Sequence, residues 1–222
     1  MRVPQFPECQ HPIIQALSEE TDAQLIELFQ NHPTQGQYFV AIFCRYHSII
    51  YRLIHQAVRS PVQADYLFAM VWKHLHHQLQ GLNISGLISQ PDSETGQSPT
   101  VNPDNISSSQ LQSWLVETAQ ACITQTELPP VESIHYSLSE ASPPFLYYLE
   151  QSLERLSPLH RLVVLMTQTF RWNAIRIAAY LQAEGTIVSE EDVKHTLSQG
   201  YQSLIAELPD DICEIYALQL LR

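Results

Sequence analysis

The apolar positions of the chain fall into stretches that hold the α-helical period, separated by stretches that hold none. Thr21 with Gln24 predicts a capping box, and Leu25, Leu28 and Phe29 then line a short helix that stops at Asn31-His32-Pro33. From about Gln35 to Ala57 the positions Phe39, Ile42, Phe43, Tyr46, Ile50, Leu53 and Ala57 keep the period through a long second helix. Ser60-Pro61 restarts the chain, and Leu67, Phe68, Val71, Leu75 and Leu79 make a third stripe. Three such helices bury one another as a bundle.

From Gly81 to Ser109 the residues are mainly Ser, Pro, Asn, Asp and Gly without a period, which predicts a loop. Leu111, Trp114, Leu115, Thr118 and Cys122 predict a fourth helix that closes the bundle. A linker at 126–144 carries Pro129-Pro130 and Pro143-Pro144 and marks a boundary. Beyond it Phe145, Leu149, Leu153 and Leu156 open a second unit. Ser157-Pro158 then starts a helix whose stripe is Leu159, Val163, Met166 and Phe170. A shorter helix from Asn173 to Leu181 turns Ile177, Ala178 and Leu181 inward. The next begins at Ser189, whose hydroxyl can cap Glu191 or Asp192, and uses Val193, Leu197, Tyr201, Leu204 and Leu208. Ile212, Ile215, Leu218 and Leu221 predict a tail helix. The fold expected is all-α in two small helical domains: 1–125 with its loop at about 81–109, then the linker, then 145–222.

Composition changes this picture in one respect. The 222 residues are 45% hydrophobic, enough for ordinary cores, and no apolar run reaches the length of a membrane span. The N-terminus "MRVPQFPECQHP" lacks the apolar centre of a signal peptide, so a cytoplasmic protein is expected. Cys9, Cys44, Cys122 and Cys213 are widely scattered and read as reduced and structural. Charge is the informative quantity: 23 acids against 11 bases give −12, and from His74 to Glu154 there are nine acids with no Lys or Arg. Such a chain repels free nucleic acid overall.

Two separate regions resemble one family. "LERLSPLHRLVVL", "RIAAYL" and "SEEDVKHTLSQGYQSL" are similar to the promoter-reading C-terminal domain of bacterial sigma factors of the extracytoplasmic-function type. Leu156, Pro158, Arg161, Ile177, Ala178, Ser189, Val193 and Lys194 occupy the matching positions. "DAQLIELFQNHPTQGQYFVAIFCRYHSIIYRLIHQAV" is similar to the first two helices of the sigma N-terminal domain, including Phe43, Tyr46 and His47. "ADYLFAMVWKHL" resembles its polymerase-clamp helix, and "LQSWLVETAQACI" its promoter-melting helix. The resemblance implies a region 2-like bundle and a region 4-like helix-turn-helix domain acting in promoter recognition. Its partners would be core RNA polymerase, promoter DNA bound only weakly unless polymerase is present, and a regulatory protein such as an anti-sigma factor; no cofactor is expected, and the apolar pattern predicts no membrane. Leu67, Met70, Trp72 and Lys73 would then meet polymerase, with Phe43 and Tyr46 supporting that bundle. Arg171, Arg176, Lys194, His195, Gln199 and Trp114 would meet DNA.

The pattern also departs from that family. Ala69-Met70 stand where a Gln-Glu pair is usual, which removes a polar contact to polymerase. The melting helix ends in Glu117-Thr118-Ala119-Gln120-Ala121 rather than in cations, and Trp114 fits a core stripe as well as a base-stacking platform. Gln182 to Val188 lengthens the turn, and Glu190-Glu191-Asp192 opens the recognition helix with charges that suit the helix dipole but not phosphate. A second reading therefore stands beside the first: a protein-binding adaptor that keeps the fold without independent DNA binding. His74 and His77 share a helix face, but no third ligand follows at suitable spacing. There is no phosphate loop or nucleophile elbow, so an enzyme is not expected.

Overall fold

A computed structural model describes residues 3–83 and 108–220, of which 108, 109 and 217–220 are described by backbone only. The loop expected at 81–109 lies almost wholly outside the described residues, as do Leu221 and the side chain of Leu218. Among the described residues there are ten α-helices, two short 3₁₀ turns and no strand. None of these helices is long and apolar enough to cross a membrane.

A 3₁₀ turn at Pro7–Gln10 and the short helix α1 (Pro12–Ala16) precede the first predicted helix. Helix α2 (Asp22–Asn31) starts at the expected capping box: the Thr21 hydroxyl accepts from the Gln24 amide, and the Gln24 side chain accepts from the Thr21 amide. Helix α3 (Gln37–Ala57) runs through the centre of the first core. Phe39, Ile42, Phe43, Tyr46 and Ile50 are buried as their spacing predicts, but the seam then passes to Tyr51 and Ile54, leaving Leu53 half-exposed and Ala57 exposed. Helix α4 (Pro61–Gln80) is capped by Ser60 and buries Leu67, Phe68, Val71, Leu75 and Leu79. Helix α5 (Ser108–Gln125) contributes Leu111, Leu115 and Ala119 to the same core.

That core extends further along the chain than the sequence suggests. Helix α6 (Pro143–Arg155) inserts Phe145, Tyr147 and Tyr148 into it, and helix α10 (Asp210–Leu220) inserts Ile212, Ile215 and Tyr216. Both are expected in the second unit; in the structure both pack against the first. Gly36, at the N-cap of α3, permits this: a Cβ there would lie 2.4 Å from Ile212 Cδ1 and 2.9 Å from Tyr148 Cε2. The 126–144 segment also lies against this core, through Leu128, Leu138 and Ala141, and Gln63 Nε2 donates to the Pro129 carbonyl at 2.9 Å.

Three helices form a separate small core: α7 (Pro158–Gln168), α8 (Ala174–Ala183) and α9 (Glu190–Glu207). Val163, Met166, Ile177, Ala178, Leu181 and Val193 fill it. The predicted α7 stripe is only half inward, because Leu159 and Phe170 are exposed.

The N-terminal segment overturns one expectation outright. Cys9 and Cys44 are not reduced: they form a disulfide across 35 residues of chain, with their Cα atoms 5.3 Å apart, while Cys122 and Cys213 are free thiols. Phe6 is buried beside this bond against Phe43, at 4.9 Å between ring centroids. Disulfides are uncommon in reducing compartments except as transient or redox-sensing bonds, so the cysteines lend no support to a cytoplasmic reading.

Candidate functional site

Of the four residues aligned with a polymerase contact, α4 turns two inward. Leu67 and Trp72 are fully buried, Trp72 against Phe39, Phe43 and Phe68, so they shape the bundle rather than meet a partner. Helical geometry separates them from Met70 and Lys73, which reach the surface. Lys73 Nζ lies 2.7 Å from Glu150 Oε2 of α6, and both side chains are well exposed, so this pair contributes little to stability. Two shallow cavities flank the Met70–Lys73 edge. One of about 220 Å³ is shared with Tyr136, Tyr147 and Glu150; the other, of about 360 Å³, is shared with His77 and Cys122.

The histidine run next to this edge divides in the same way. His76 is buried, with its ring 3.9 Å from that of Tyr147, 4.6 Å from Phe39 and 5.0 Å from Phe29, and its Nδ1 has no partner. Among the described residues no group of three or more His, Cys, Asp or Glu is placed to hold a metal ion. Burial first, and the neighbouring His77 second, lower the His76 pKa from the ordinary 6.5 to about 3. The folded protein therefore cannot take up a proton that the unfolded chain binds below pH 6.5. This contribution is intact above pH 6.5 and is lost as the pH falls toward 3, by about 2 kcal/mol at pH 5. Urea unfolding at pH 7 and pH 5 measures it. His76→Leu, which removes both the titrating group and the unpartnered nitrogen, should lose that part of the pH dependence; an unchanged pH dependence would assign it elsewhere.

The residues aligned with DNA contacts are not equivalent. On α9, Ser189 and Asp192 form a reciprocal capping box, with the Ser189 amide donating to Asp192 Oδ2 at 2.8 Å. Those hydrogen bonds hold the exposed Asp192 carboxyl below its usual range. Lys194 Nζ lies 2.8 Å from Glu190 Oε1 and 3.1 Å from Glu191 Oε1, so two carboxylates of its own first turn compete for it. His195 and Gln199 are exposed. Trp114 on α5 is half-buried and packs against the first core.

Arg171 and Arg176 lie at the junction of α7 and α8 and form no ion pair among the described residues. Arg171 has a positive φ of 55°, which few residues other than glycine adopt. It lines a cavity of about 630 Å³ with Glu8 and Glu140. The Arg176 guanidinium lies 4.3 Å from the centre of the Trp172 ring. Around that ring stand Phe170 at 5.9 Å and Tyr180 at 5.8 Å, which periodicity had set in the core stripe or passed over. Neither the junction of the helices nor the distance from Phe170 to Tyr180 leaves a local signal. Lys194 on α9 is paired with acids of its own helix, whereas at the α7–α8 junction Arg171 and Arg176 have no ion pair among the described residues and stand near two exposed rings, Phe170 and Tyr180, and the half-buried Trp172.

Three comparisons, with protein-family models, with curated proteins and with solved structures, found no match.

Proposed function

We propose that the chain is a sigma-factor-like protein that associates with RNA polymerase and acts in promoter recognition or its regulation. The family resemblance in two regions supports this reading, and so does the three-helix core of α7, α8 and α9, in which two helices joined by a turn pack on a third, as a helix-turn-helix requires. Region 2-like and region 4-like units would then share the chain. The single observation that carries the polymerase side is the Met70–Lys73 edge, where an exposed thioether and an ammonium stand between two cavities on the helix similar to a clamp-binding element.

One observation favours the adaptor reading instead: Lys194, the lone permanent cation early in α9, is held by Glu190 and Glu191. On that reading the protein occupies a polymerase or transcription-factor surface without reading duplex DNA. Both readings use the α4 edge. Met70→Glu should weaken capture of core polymerase by at least about ten-fold, as expected for burying an unpaired charge in an interface, with the far-UV helical signal unchanged. Lys73 is left intact because its reversal would also set like charges against Glu150. Undiminished capture by the variant, or none by the wild type, rules out the polymerase reading.

A further inference from the structure

We propose that Phe170 and Tyr180, with Arg176 and the half-buried Trp172 between them, form a binding site for single-stranded nucleic acid, in which bases stack on the two exposed rings and the guanidinium meets a phosphate. The proposal rests on the promoter-directed reading above only for the source of the strand.

The local chain fixes the rings in place. The Trp172 amide donates to the Met166 carbonyl at 3.2 Å, turning the backbone back at the end of α7. Asn173 Oδ1 accepts from the Arg176 amide at 2.9 Å and starts α8. Phe170 is left 62% exposed and Tyr180 40% exposed, an unusual state for two aromatic side chains a few ångströms from a third. The sequence here is also poor in acids up to Glu184, although through space Arg171 lines a cavity with Glu8 and Glu140. In a chain of net charge −12, the 28 residues from Leu156 to Ala183 contain Arg161, Arg171 and Arg176 and no Asp or Glu. Flat apolar faces next to unpaired guanidinium groups match a ligand with both π-faces and anionic charge.

Single strands fit this surface better than the two alternatives. A duplex hides its base faces in the stack and must be held through phosphates, which takes more cations than this junction supplies. An acidic peptide offers charge to Arg176, but only a nucleic acid strand repeats an aromatic face beside every anionic group. Base–aromatic stacking needs neither a groove nor sequence-specific hydrogen bonds, and the Arg176 guanidinium already lies over the Trp172 ring, 4.3 Å from its centre.

Fluorescence anisotropy of the full chain with labelled oligo(dT), and with a duplex of the same length, tests the assignment at low salt. Oligo(dT) should bind at least about ten-fold more tightly than the duplex. Phe170→Ala and Tyr180→Ala should each weaken it roughly five-fold or more. Phe170→Trp should restore wild-type affinity, which separates stacking from a folding defect. Arg176→Gln should weaken binding and reduce the salt slope by about 0.7. Glu190→Gln with Glu191→Gln, which frees Lys194 and leaves the Asp192 cap in place, should raise duplex affinity alone. Met70→Glu, which tests the polymerase reading, should leave oligo(dT) affinity unchanged. Equal affinity for duplex and oligo(dT), alanine variants that bind as wild type, or a response of oligo(dT) binding to the α9 or Met70 substitutions would overturn the site. Displacement of oligo(dT) by polyglutamate as readily as by unlabelled oligo(dT) would overturn it in favour of an acidic protein ligand.

Discussion

Arg45→Ala should destabilise the protein by about 3–5 kcal/mol, because it strands a buried carboxylate. Asp22, at the first position of α2, is 4% exposed. Its Oδ1 accepts from Arg45 Nη1 at 2.8 Å and its Oδ2 from the Tyr46 hydroxyl at 2.5 Å. Removing the guanidinium leaves one hydroxyl and the α2 N-terminus to solvate the charge. Arg45 does more than pair. Its Nη2 donates to the carbonyls of Leu17 at 2.9 Å and Glu20 at 2.6 Å, tying the α1–α2 connection to α3. A lysine has the charge but not the planar fork that reaches carboxylate and carbonyls together, so Arg45→Lys should recover less than half of the loss. Burial, and then the Asp22 carboxylate, push the Tyr46 phenol above its ordinary range, so it stays a donor at any ordinary pH. Chemical denaturation of the three proteins at pH 7 decides the matter: an alanine variant within about 1 kcal/mol of wild type would show that water replaces the arginine.

Loss of the Cys9–Cys44 bond should have an effect of similar size. Closing a loop of 35 residues restricts the unfolded chain by about 4 kcal/mol in the entropy model, and native disulfides commonly contribute about 2–4. The folded state has a stake as well. The bond holds the 3₁₀ turn on α3, which places Phe6 against Phe43 and Phe68 and sets the buried Glu8 beside Tyr216, whose hydroxyl lies 3.1 Å from Glu8 Oε1. Cys9→Ser with Cys44→Ser should lower the denaturant midpoint, and reduced wild type should match the double variant. If dithiothreitol shifts the wild type but not the variant, the bond is the cause; if it shifts neither, the two thiols do not form this bond in solution.

The helices were legible because their signals are local. Thr21 with Gln24, Ser60-Pro61, Ser157-Pro158 and Ser189 all stand at helix starts, since a cap needs only the next three residues. The candidate site was legible in part. Met70, Lys73, Arg171, Arg176, His195 and Gln199 lie at the surface as a contact residue must, but Leu67 and Trp72 do not. Trp72 falls within a turn of Phe68 and Val71, so its burial follows from the width of the apolar face rather than from a motif. Phe170 misled in the opposite direction: it continues the α7 period in sequence, but α7 ends at Gln168 and the backbone turns before the ring can face inward.

What the sequence determined alone is the all-α class, the capped starts of α2, α4, α7 and α9, most of the face that α2, α3 and α4 turn to a core, and the acid-free stretch from Leu156 to Ala183 within an acidic chain. What only the tertiary structure decided is which core each face joins, that Cys9 meets Cys44, that α6 and α10 complete the first core, and that three rings and Arg176 gather at one junction. The physical reason is range. Period and capping are set by neighbours a turn away, whereas an apolar stripe is satisfied by any complementary surface, and the choice among surfaces depends on close approaches such as that of Ile212 to Gly36, across 176 residues of chain.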